Sequence, residues 1–131
     1  MYFDEHRPPR APQASLARIL LLDDEPMIQH FVARALEDAG YEVVALNPPF
    51  GAIRLLADTH FDLVITNSIM PATSGAQLVA RIRNEFPDVP VIHMDDQSHP
   101  LPPEFPTDVT RLDKPFSNDT LLREVVRQLE R

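Results

Sequence analysis

Short, largely apolar runs alternate in this chain with longer segments whose apolar residues recur every three or four positions. That alternation constrains the fold more than any other feature. The runs are residues 19–22, 42–46, 62–66, 90–94 and 109–112. Runs of this length bounded by polar residues fit strands covered on both faces by helices, as in a parallel sheet.

Between the first two runs, Pro26 sits where proline is tolerated, in the first turn of a helix. Ile28, Phe31, Val32, Ala35, Leu36 and Ala39 follow at helical spacing, and Gly40 closes the segment. Pro48 and Pro49 open a shorter helix whose apolar side is Phe50, Ile53, Leu56 and Ala57. Ser74 caps a third helix burying Leu78, Val79, Ile82 and Phe86, which Pro87 ends; Ser117 caps a last one with Leu121, Leu122, Val125, Val126 and Leu129 as its buried stripe. Strict alternation would place another helix in residues 95–108. Pro100, Pro102, Pro103 and Pro106 oppose one, because each removes a backbone donor and clashes with the preceding turn. The expected architecture is an α/β domain with one doubly wound, five-stranded parallel sheet and a lost or irregular fourth helix.

A length of 131 residues allows one domain. Residues 1–15 carry charge and proline without periodicity and read as a flexible tail, leaving residues 16–131 for the domain. A net charge of −8 opposes nonspecific binding to nucleic acid or anionic membranes. There is no cysteine, hence no disulfide framework. No apolar run approaches the roughly 18 residues of a membrane span, and the first residues lack a signal-peptide core. The expected location is the cytoplasm.

In an open parallel sheet, function gathers at the carboxyl ends of the strands. Those ends carry Asp23 and Asp24 after the first run, Asn67 after the third, Asp95 and Asp96 after the fourth, and Lys114 just after the fifth. Among 12 basic residues only Lys114 is lysine, so a compact ammonium stands here in a chain that otherwise uses arginine.

The stretches ILLLDDEP (residues 19–26), FDLVITNSIMP (61–71) with Gly75 four residues on, PVIHM (90–94) and LDKPF (112–116) together resemble the response regulator receiver domain of two-component signalling, over residues 18–130. The resemblance implies a flavodoxin-like sheet of strand order 2-1-3-4-5. It also implies that an acidic pair at Asp23 and Asp24 helps bind Mg²⁺, and that an aspartate at the position of Asn67 accepts a phosphoryl group and joins the metal. A lysine at Lys114 and a hydroxyl residue at the position of Asp95 would contact that group, and an aromatic at the position of Arg111 would report its presence.

Three positions depart from the pattern. The Asn67 amide is a poor nucleophile with no full charge on its oxygen. Asp95 puts an anion where a phosphoryl-binding hydroxyl is implied, and Arg111 removes the aromatic switch. Two carboxylates about 4 Å apart repel by roughly 4 kcal/mol at an effective dielectric near 20, so Asp23 and Asp24 favour a nearby cation or a raised pKa. Asp95 is expected to pair with Lys114 and fix one conformation without phosphate. With one carboxylate fewer, no cofactor is required and any Mg²⁺ held by Asp23 and Asp24 is weakly bound.

Other signals carry less. His93 lies in an apolar run and reads as a core histidine rather than part of a metal cluster with Asp95, Asp96 and His99. His30 reads as exposed surface. The PxxP-like stretches at residues 9–12 and 100–103 are weak ligand motifs. A nucleotide site would need glycines or hydroxyls after the first strand, and a phosphatase would need a second aspartate two residues after its nucleophile; Asp23-Asp24-Glu25 supplies neither.

The resulting expectation is a stand-alone, degenerate receiver without an output domain. It is not an enzyme and not phosphorylated at the usual position, but binds a signalling protein such as a histidine kinase or another receiver; a further possibility is that it only titrates such a protein. The alternative is a phosphoacceptor that uses Asp95 or Asp96 with Mg²⁺.

Overall fold

The computed structural model describes residues 17–46, 51–67, 75–97, 100–103 and 105–130. Its elements follow the order β1 (Arg18–Leu22), α1 (Pro26–Asp38), β2 (Glu42–Leu46), α2 (Ala52–Asp58), β3 (Leu63–Asn67), α3 (Gly75–Glu85), β4 (Val91–Asp95), β5 (Thr110–Asp113) and α4 (Asn118–Leu129). All four strand pairings are parallel, in the order β2-β1-β3-β4-β5. The expected tail, Pro48, Pro49, Phe50, Ser74 and His99 lie outside the described residues.

Alternate residues of a strand face opposite sides of the sheet. On one side Ile19, Leu21, Leu63, Ile65, Ile92, Met94 and Leu112 meet Val32, Ala35 and Leu36 of α1 and Leu121 and Val125 of α4. On the other, Leu20, Leu22, Val64 and Val91 meet Ala52 and Leu56 of α2 and Ala76, Val79 and Ile82 of α3. This two-sided burial is why the strands read as continuous apolar runs.

The punctuation residues act as expected at both ends of helices. Pro26 opens α1. Gly40 ends it at a φ of 100°, a region that costs a residue without Cβ little, and Tyr41 N–H then donates back to Leu36 O at 3.1 Å. Ser117 Oγ accepts from Thr120 N–H at 3.1 Å. The buried stripe of α4 is corrected at Val126, which is 41% exposed, and Phe31 of the α1 series is 48% exposed. Each lies next to a fully buried valine, Val32 or Val125, so the 100° step per residue carries it to the rim of its apolar face.

The segment between β4 and β5 contains no helix among its described residues. It is instead pinned at three points. Phe105 N–H donates to Pro102 O at 3.0 Å, closing a turn with Pro103 at the position where its fixed φ fits. The Phe105 ring is buried in the α2/α3 side of the core, with Leu101 and Val109 packed beside it. Arg83 of α3 donates to Val89 O at 2.6 Å and to Asp108 Oδ2 at 3.1 Å.

Candidate functional site

Strand register decides which polar side chains meet. Leu22 is abreast of Thr66, which places Asp23 beside Asn67; Asn67 is abreast of Met94, and Met94 of Leu112. Asp23, Asn67 and Lys114 therefore share the parity of the residues that face α1 and α4. His93, Asp95, Arg111 and Asp113 carry the opposite parity and share a side with Phe105. The strand ends form two polar clusters, one for each parity.

In the first cluster Asn67 is the bridge. Its Oδ1 accepts from Lys114 Nζ at 3.2 Å. Its Nδ2 donates to Asp23 Oδ1 at 3.4 Å and to Glu25 Oε1 at 3.5 Å. This orientation gives each end of the amide a partner of the opposite kind. Asp23 is fully buried; its Oδ1 also accepts from Glu25 N–H at 2.9 Å, while Oδ2 is buried without a hydrogen-bond partner. Burial pushes the Asp23 carboxyl above its ordinary range, against the pull of the Glu25 N–H bond and the Lys114 charge; Glu25 and Asp24 push the same way as burial but less. The rise expected from carboxylate repulsion is thus mainly a desolvation effect. Asp24 is half-buried beside this cluster. Glu25, not singled out as a site residue in the sequence, is a direct partner of Asn67.

The expected pairing of Asp95 with Lys114 is overturned. Asp95 Oδ1 accepts from Gln97 N–H at 2.9 Å, and Oδ2 lies 3.4 Å from Arg111 Nε. Lys114 reaches Asp95 only through its main chain, its N–H donating to Asp95 O at 2.8 Å. The reason is parity: two residues along β5 from Asp113, which is abreast of Asp95, stands Arg111 on the same side, whereas Lys114 has turned to the other. Arg111 also donates to Asp113 Oδ1 at 2.6 Å. That bond raises the guanidinium pKa and holds the Asp113 carboxyl below its ordinary range. A half-exposed cation thus neutralises an Asp95 side chain that is only 3% exposed.

His93 is a core histidine, 3% exposed, with its ring centroid 4.6 Å from that of Phe105. Burial lowers its pKa, assisted by Arg111 and opposed by Asp95 and Asp113. The unfolded chain therefore binds a proton that the folded chain resists. The stability tied to His93 is complete above the ordinary imidazole range and is lost as pH falls through it. Urea midpoints should drop between about pH 7.5 and 5.5, and His93→Leu should flatten that slope. An unchanged slope would show that other groups set it.

The donor set does not fit a divalent cation as arranged. An ion of this kind needs converging oxygens, but Asn67 turns N–H groups toward Asp23 and Glu25 and its oxygen toward Lys114. Among the described residues no three His, Asp or Glu side chains are grouped to hold a metal ion. Beside the site, Ile28, Phe31, Val32, Asp96, Lys114, Pro115 and Phe116 line a largely apolar groove of about 460 Å³, and Met27 of α1 is 85% exposed. No described helix is long and apolar enough to cross a membrane.

Comparison with known proteins agrees with this geometry. The chain is 31% identical over 119 residues to the response regulator receiver protein CpdR of Brucella abortus, covering 88% of this chain and 96% of that one. Its similarity to the response regulator protein FleR of Pseudomonas aeruginosa is 35% over 78 residues, which is 60% of this chain and 16% of FleR. The structure of the chemotaxis response regulator CheY4 of Vibrio cholerae superposes with a TM-score of 0.75 at 28% identity, covering 87% of this chain and 99% of that one. TrrA of Thermotoga maritima, solved in complex with Mg²⁺ and BeF, gives a TM-score of 0.73 at 28% identity over 86% and 99% of the two chains. Residues 19–102 match the family model of the response regulator receiver domain. The sheet order, the residues gathered at its carboxyl edge and these similarities agree: the chain belongs to the response regulator receiver domain family.

Proposed function

We propose that this receiver works as a protein-binding module in two-component signal transduction and is not phosphorylated at position 67. The observation that carries the reading is the Asn67 amide held between Lys114 and Asp23. In that arrangement the lysine and the acid are bridged by a neutral group with no nucleophilic oxygen to offer phosphorus. The module is a binding protein rather than an enzyme. It requires no cofactor, and any Mg²⁺ at Asp23 and Asp24 is held weakly. Its partner is a signalling protein such as a histidine kinase or another receiver, and the groove beside α1, with Phe31 in its wall and Met27 exposed on the same helix, offers apolar contact area for it.

The Asp95–Arg111 pair supports the same reading. A carboxylate already neutralised by a guanidinium favours one arrangement of the β4 and β5 ends in the absence of phosphate. Freshly purified protein incubated with acetyl phosphate and Mg²⁺ should keep its intact mass. A phosphoryl group found on Asp95 or Asp96 would overturn the proposal in favour of an alternative acceptor, with Asp96 the more accessible of the two.

A further inference from the structure

From the three groups that hold Asn67 we infer that its side chain is a site of self-catalysed deamidation, in which water converts the amide to a carboxylate beside Lys114. The inference rests on reading position 67 as the acceptor position, because the product then carries the carboxylate that an acceptor needs. A carboxamide hydrolyses slowly in water because its carbonyl is a weak electrophile and its nitrogen a poor leaving group. The first obstacle is addressed here by a group already in contact.

The Lys114 ammonium lies 3.2 Å from Oδ1, the atom on which negative charge develops when water adds to the side-chain carbon. Asn67 is 6% exposed, and a fixed cation stabilises such an oxyanion more in a site shielded from water than in solvent. The nitrogen is oriented by Asp23 and Glu25, which hold it turned away from the lysine so that the oxygen alone faces the cation. Asp23 Oδ2, on the carboxylate whose Oδ1 takes the Nδ2 bond, is buried without a hydrogen-bond partner. Glu25 is exposed and forms the solvent side of the cluster.

The step balances with water alone. The water oxygen bonds to the side-chain carbon, the carbon–nitrogen bond breaks, and both of the water's protons leave with the nitrogen as ammonium. The product carboxylate remains against Lys114. Direct attack by water on the side-chain carbon gives aspartate, whereas closure of a main-chain nitrogen on the side chain would give mainly isoaspartate. Among the described asparagines only Asn67 is hydrogen-bonded to Lys114, the chain's one lysine. Asn84 and Asn118 are exposed and serve as internal references.

The test is peptide mapping by tandem mass spectrometry of the full chain during prolonged incubation at neutral pH, with no phosphodonor present. Asn67 should convert to aspartate at least about tenfold faster than Asn84 and Asn118, and about tenfold faster than the same residue in urea-unfolded chain; Lys114→Met should remove the advantage. Conversion no faster than at the reference asparagines, a rate indifferent to Lys114→Met in a variant that circular dichroism shows to be folded, or a predominance of isoaspartate would each overturn the inference. If Lys114→Met does not fold, the comparison of native with unfolded chain decides. These readouts do not depend on phosphorylation, so a failure here leaves the proposed function standing. Phosphorylation of all-amide protein would defeat that proposal alone.

Discussion

Asn67→Asp should make the stability of this domain depend on divalent cations. The substitution replaces an N–H donor by a third carboxylate oxygen, at a position 3.4 Å from Asp23 Oδ1 and 3.5 Å from Glu25 Oε1. Two unit charges at about 4 Å repel by roughly 4 kcal/mol at an effective dielectric near 20. Attraction to Lys114 on the other side offsets part of this, so we expect a net loss of about 1–3 kcal/mol in chelator. For a domain of this size each kcal/mol moves the melting temperature by about 4 °C.

Added Mg²⁺ should reverse the loss, because Asp23, Asp24 and the new carboxylate can supply converging oxygens. A cation at a hundred times its Kd contributes about 2.7 kcal/mol. Thermal melts of both proteins in EDTA and in Mg²⁺ are sufficient. A variant that melts at the same temperature in both would show that Asp23 and Asp24 are not placed to share an ion with position 67. The same melts applied to aged native protein would reveal any deamidated fraction as a metal-responsive component.

Phe105→Ala should cost about 3–5 kcal/mol, a large effect for one residue of an irregular segment. A helix in this place would satisfy its own backbone and contribute a whole apolar face. Here the described residues of the proline-rich segment have no such ladder, and their attachment rests on the Phe105 ring, the Pro102–Phe105 turn and the Arg83–Asp108 bond. The last is at the surface and is worth at most about 1 kcal/mol. Truncating Phe105 opens a cavity over His93 and admits water to it. The urea midpoint should fall with little change in slope, and the His93 pKa measured by NMR should move up toward the ordinary imidazole value. A small loss with an unmoved His93 would show that Leu101 and Val109 hold the segment on their own.

Much of the fold could be read from the chain. The five runs became five parallel strands, Pro26, Gly40 and Ser117 marked helix ends, and the prolines of residues 95–108 excluded a helix from the described part of that segment. The strand ends were less legible. β3, β4 and β5 each extend one residue past the apolar run, to Asn67, Asp95 and Asp113. A parallel ladder pairs backbone groups, and a polar side chain at the last rung does not stop it. Val126 was misread as buried because residues adjacent on a helix differ by 100°, so periodicity alone does not separate the edge of a buried stripe from its centre.

The residues of the candidate site were also named by the sequence, but not their partners. Residue type established that Asn67 lacks a nucleophilic carboxylate, that Lys114 is the one ammonium available, and that acids cluster at the strand ends. Pairing is a property of the sheet. Which side a residue faces depends on its register against neighbouring strands, and a shift of one residue reverses it. The tertiary structure therefore decided that Lys114 meets Asn67 rather than Asp95, that Asp95 meets Arg111, and that Glu25 joins the amide. Residue chemistry along one chain determines what each group can do. The register of five strands, fixed by burial on two opposite sides, determines which groups do it together.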